Sequence, residues 1–170
     1  MIASAILLFF LGYNKIQYYL LDNSDFARAM LYGTSFVIAR EHFPLGSGFG
    51  TFGSFISGKI YSPLYYKYGL SNIYGLTENN NSYISDTFWP MILAQFGFLG
   101  LILFVAIIGI IFHKIWSIRK LNKYYFLSSM CLMLYLLIAS TSESSFVNYY
   151  AVYFFIMLGI YLNQVKEMKN

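Results

Sequence analysis

Charge is scarce in this chain. Only 11% of its residues are Asp, Glu, Lys or Arg, while 58% are hydrophobic; a soluble domain usually carries roughly 25% charged residues. So little polar surface excludes a water-exposed globule. Arginine is rarer still: Arg28, Arg40 and Arg119 are the only three, and no block of basic residues interleaved with aromatics offers a nucleic-acid surface. The single cysteine, Cys131, has no partner in the chain, which excludes an internal disulfide. It lies in an apolar run and is expected to be a small buried residue. Histidine is limited to His42 and His113, far apart in sequence. No spacing of His, Cys, Asp or Glu matches a metal site, so no metal or other cofactor is expected. The apolar run 2–12 lacks a preceding basic region and a small-x-small cleavage site, so it is not read as a cleaved signal.

What is present instead is long apolar runs. Four stand out, at residues 2–21, 88–112, 124–140 and 146–162. The last three carry no charge. The first is interrupted by Asn14, Lys15 and Gln17. A helix needs about 20 mostly apolar residues to cross roughly 30 Å of hydrocarbon, so the chain reads as a single all-α membrane domain over 1–170, a multi-pass bundle of four spans. Orientation follows from the short loops. Residues 113–123 contain Lys114, Arg119, Lys120 and Lys123 and no acid, and the tail adds Lys166 and Lys169 against Glu167. The turn at 141–145 holds one acid, Glu143, and no base. The positive-inside tendency then places both termini in the cytoplasm, with the long stretch 22–85 outside the cytoplasmic membrane.

The outer stretch divides in two. Ser24 or Asp25 can cap a helix over residues 26–41, with Phe26, Met30, Tyr32, Phe36 and Val37 giving an apolar side at the membrane boundary. Pro44, Gly46, Gly48, Gly50 and Gly53 then stop regular helix. Residues 55–85 are rich in Tyr, Ser, Gly and Asn and read as an irregular external loop. Its aromatics suit anchoring at the interface, the commoner role, or stacking on sugar rings.

Five features carry candidate chemistry. Arg28 and Arg40 lie on the outer side, against the positive-inside tendency. They suit either lipid headgroups or a phosphorylated ligand, because guanidinium offers a fixed fork of donors matched to phosphate oxygens. Asp86 can accept a proton from a hydroxyl or can cap the helix that follows it. The group Gly46, Gly48 and Gly50 either brings backbone close to a substrate or makes a tight turn. Glu143 is either a solvated acid or a group facing a substrate.

Two motifs add a resemblance. The run His42-Phe-Pro-Leu-Gly-Ser-Gly-Phe-Gly-Thr-Phe52 resembles the H-P-L-x-G-x-G-x-x-x-F stretch of the bacterial O-antigen polymerase and ligase family, with the proline displaced by one position. Asp86-Thr-Phe-Trp-Pro-Met-Ile-Leu-Ala-Gln-Phe-Gly97-Phe-Leu-Gly100 resembles that family's second signature, in which ligases have a histidine where Asp86 stands. Arg28 sits upstream in the place of a family arginine. The resemblance implies the C-terminal part of a membrane glycosyltransferase. Its donor would be a glycan on polyprenyl pyrophosphate. Arg28 and Arg40 would hold the leaving pyrophosphate, Asp86 would act as base, and Gly46, Gly48, Gly50 and Glu143 would contact substrate. Aspartate at the base position favours a polymerase over a ligase. Other spans or polysaccharide-assembly proteins would be its partners, alongside the bilayer. The rival is a non-catalytic membrane subunit or remnant of such an enzyme. A channel would have only polar groups such as Ser128, Ser129 and Asn148 to line it.

Overall fold

The computed structural model describes residues 23–167, with side chains for 26–164; the expected first span, 2–21, and the basic tail side chains lie outside them. The described residues are all-helical, with six α-helices, two 3-10 turns and no strand. The α-helices are α1 (Asn23–Glu41), α2 (Phe55–Lys59), α3 (Pro63–Lys67), α4 (Phe88–Ser117), α5 (Lys123–Ala139) and α6 (Tyr149–Glu167).

One helix is long and apolar enough to cross a membrane. It is α4, which the apolar run at 88–112 anticipates and which continues to Ser117. It is not one straight rod. Gly97 sits at φ 65°, ψ −166° and breaks the helix in two. Beyond the break, residues 98–117 give about 30 Å of helix at 1.5 Å per residue, the thickness of a bilayer's apolar core. α5 is capped by Asn122, whose side chain accepts from Tyr124 N at 3.0 Å and Tyr125 N at 3.2 Å. α5 and α6 pack on α4 around Ile108, Ile115, Met133 and Leu158. Their outer faces remain bare: Ile102, Ile110, Ile138, Val152 and Ile156 are all exposed. Cys131 is exposed on the same kind of surface rather than buried as expected. α5 has only a narrow inner stripe through Ser129, Met133 and Leu136, and position 131 does not fall on it.

The outer stretch corrects the sequence reading in two ways, at the start of α1 and over residues 55–85. Ser24 and Asp25 lie within α1, not before it. The side of α1 that packs is Ala27, Leu31, Thr34, Ser35 and Ile38, all buried, whereas Phe26, Tyr32, Phe36 and Val37 face outward. The spacing i, i+4, i+7, i+8, i+11 marks a helical face, and its small members allow the close approach to α4 that large aromatics would prevent. Residues 55–85, expected to be irregular, fold into a cap with its own core. Phe52, Tyr61, Tyr65, Leu70, Leu76 and Ile84 are buried together with Ala27, Leu31 and Ile38 of α1. Tyr65 anchors this cap: its hydroxyl accepts from Gly53 N at 2.9 Å and shares a 2.8 Å hydrogen bond with Ser57 Oγ. Burial pushes its pKa up to about 12, so it stays a neutral phenol. Tyr61 donates to Leu76 O at 2.7 Å. Ser54 and Ser57 form a capping box on α2. The polar ends of the loop's buried tyrosines are thus satisfied inside the cap rather than by interfacial water.

Candidate functional site

The two sequence motifs are one structural unit. The break at Gly97 leaves the carbonyls of Ala94 and Gln95 without their helical donors, and the glycine segment supplies replacements. Ser47 N donates to Ala94 O at 2.8 Å and Gly48 N to Gln95 O at 3.0 Å. Leu99 N turns to Pro44 O at 3.4 Å. The side chain of Gln95, buried within the apolar helix, accepts from Gly50 N at 2.8 Å and donates to Phe52 O. Backbone groups freed by a break in a helix must find other partners, and this segment supplies them. Close approach dictates glycine at both contacts. A Cβ on Gly46 would sit 2.5 Å from Gly97 N, and one on Gly97 would sit 2.2 Å from Pro44 O. Gly46, Gly48 and Gly50 therefore pack against α4 and line none of the cavities described below.

Above this joint, Asp86, Arg28 and Glu143 converge. Arg28 Nη2 of α1 donates to Asp86 Oδ2 at 3.4 Å, with both side chains partly buried. α4 begins after Thr87, so Asp86 stands one residue before the N-cap and does not cap it. Asp86 and Glu143 line one cavity of about 370 Å³ together with Ser54, Ser144 and Asn148. The turn between α5 and α6 is tied to the start of α4: Ser144 Oγ donates to Ser85 O at 2.6 Å and Trp89 Nε1 to Ser140 Oγ at 3.0 Å. Tyr150 donates to Glu143 Oε1 at 2.6 Å and fixes that carboxylate as an acceptor. Beneath lie Phe88, Phe104 and Phe146, with ring centroids 5.0–5.4 Å apart.

Burial raises the pKa of Asp86; the Arg28 guanidinium opposes that shift, and the negative charge of Glu143 reinforces it. The net direction is upward. A carboxylate so placed is a stronger base than one in water, while Arg28 beside it offers donors to an anion. Arg40 does not join this group. It is exposed in the last turn of α1, about 18 Å farther along the helix from Arg28, where its charge complements the helix dipole.

A second cavity adjoins the first. It is an apolar groove of about 660 Å³ along α4, walled by Phe49, Phe55, Met91, Phe96, Leu103 and Ile107. Ser54, Phe55, Met91 and Val147 line both cavities. Tyr150, Ser144 and Phe55 were not singled out from the sequence; each is one aromatic or hydroxyl among many in this chain. Gln95 did carry a signal, being the one amide in an otherwise apolar helix.

No protein family, curated protein or solved structure matches this chain.

Proposed function

We propose that this chain is a multi-pass membrane protein and the C-terminal part of a polysaccharide polymerase. On this reading it transfers a glycan from polyprenyl pyrophosphate on the outer face of the cytoplasmic membrane. Its termini are cytoplasmic and the cap over 22–85 is external. The bare apolar faces of α4, α5 and α6 support several spans, because a water-facing surface rarely exposes so large an apolar area. The basic residues Lys114, Arg119 and Lys120 gather at the end of α4 remote from the cap, which supports that orientation.

The observation that carries the reading is Asp86, which lines a cavity beside an apolar groove and is contacted at 3.4 Å by Arg28 from behind that lining. Glycosyl transfer from a lipid pyrophosphate calls for a base near the acceptor hydroxyl and a cation near the leaving group, and Asp86 and Arg28 are residues of those two kinds. The acceptor hydroxyl attacks the anomeric carbon and its proton passes to the Asp86 carboxylate. The bond from that carbon to the phosphate oxygen breaks, and the lipid pyrophosphate leaves with the electron pair. Arg28 stabilises the charge that develops on it, and stabilisation of this kind is often the largest catalytic contribution. Glu143, held by Tyr150, keeps Asp86 basic and can orient the acceptor. Asp86, in place of a ligase histidine, favours polymerase over ligase.

Arg28→Lys keeps the charge and loses the bidentate fork. The reading expects shorter or scarcer polymer at an unchanged membrane level of the protein. Normal polymer length and yield would remove Arg28 from the mechanism. A second reading, a non-catalytic partner subunit, is favoured by one observation: the amides of Ser47, Gly48 and Gly50 are already paired with α4 and are not free for a substrate. That reading expects polymer to depend on the protein's presence but not on Asp86 or Arg28.

A further inference from the structure

Phe55 stands where three cavities meet. It lines the apolar groove, the carboxylate pocket, and a third cleft of about 440 Å³ on the cap. The third cleft differs chemically from the other two. Ser54, Asn81, Ser82 and Ser85 supply hydroxyls and an amide, Lys59 supplies the only charge, and no carboxylate lines it. Its side chains are already set in place. Asn81 Nδ2 donates to Gly58 O at 3.0 Å, Ser82 Oγ donates to Asn80 Oδ1 at 2.9 Å, and Ser54 is held by its capping box. Phe55 is 72% exposed. An exposed ring beside fixed, uncharged hydrogen-bonding groups suits a ligand with one apolar face and a rim of hydroxyls, and a sugar ring has that form. Lys59, without an acidic partner among the described residues, adds a preference for negative charge.

We propose that this cleft binds an anionic sugar residue, with its ring on Phe55, its hydroxyls against Asn81 and Ser82, and its carboxylate at Lys59. The role of that sugar, as the acceptor whose hydroxyl reaches the adjoining Asp86 pocket, rests on the glycosyl-transfer reading; the binding itself does not.

The test is saturation-transfer NMR on the protein in nanodiscs of zwitterionic lipid, titrated with methyl glucuronide and methyl glucoside. The two glycosides share a ring and differ in the carboxylate. The glucuronide is expected to bind about two- to fivefold tighter, the range for one exposed ion pair, with the difference shrinking as salt rises. Lys59→Met abolishes the difference, Lys59→Arg keeps it, and Phe55→Ala weakens both glycosides. Equal affinities in the native protein, no saturation of either glycoside, or a preference that survives Lys59→Met overturns the proposal. The Asp86→Ala variant separates the two claims. It should bind glucuronide as the native protein does, even where it makes no polymer. A lost preference therefore strikes the cleft alone, and normal polymer from Asp86→Ala strikes the catalytic reading alone.

Discussion

The cap and the helices beneath it solve opposite problems with the same kinds of residue. In the cap, Phe52, Tyr61 and Tyr65 point inward and the polar ends of the two tyrosines are paired, Tyr65 with Gly53 and Ser57, Tyr61 with Leu76. In α4, α5 and α6, large apolar residues point outward and leave a narrow inner stripe. The cap therefore has an internal core of its own, whereas the helices keep much of their apolar surface on the outside, as the proposed spans would. Gly97 is the joint between them, where the helix opens and the cap's backbone enters.

The largest effect is expected at that joint. Gly97→Ala places a methyl against Pro44 O in a left-handed conformation. It should cost about 3 kcal/mol or more. Thermal unfolding in detergent and the membrane level of the protein both read this, and native behaviour would mean that the cap and α4 are not locked together. Next comes one substitution made on both sides. Val105 of α4 and Ile60 of the cap are both exposed. Val105→Asp should cost about 3 kcal/mol in membrane insertion, and Ile60→Asp less than about 0.5 kcal/mol in stability. Equal costs would erase the distinction between the two surroundings.

The smallest effect concerns pH. Asp86 is raised by burial and by Glu143, so the acid limb of the polymerisation profile should lie above the ordinary aspartate range. Glu143→Gln removes a raising charge and should move that limb to lower pH. A limb that does not move would mean that Glu143 does not act on the base. The same raised carboxyl has a consequence for stability. Its contribution is fully present below the unfolded-state pKa and is lost as pH rises through the folded-state value.

Much of this was legible in the sequence. Uncharged apolar runs locate α4, α5 and α6 because each run is long enough for a helix and holds no charge to interrupt it. Their ends differ by a few residues, since caps such as Asn122 decide them. The convergence of Arg28 and Asp86 follows the order of the two motifs, but their distance depends on the packing of α1 against α4. The apolar aromatics of α1 mark its outward face, while the small residues that pack on the other side carry little hydrophobic signal. The cap's internal core was hidden for the same reason, as tyrosine suits an interface and a core equally well. The glycines signalled a special backbone without revealing that it docks on a broken helix.

If Asp86 and Arg28 form the proposed reaction centre, Asp86→Ala in the native strain removes its base. Glycan chain length on a gel is the measurement, with protein level in the membrane checked alongside. The account predicts loss of long chains, corresponding to a rate about 10²–10⁴-fold lower, with the protein present at its native level. Long chains of native length and yield from the Asp86→Ala strain would contradict it.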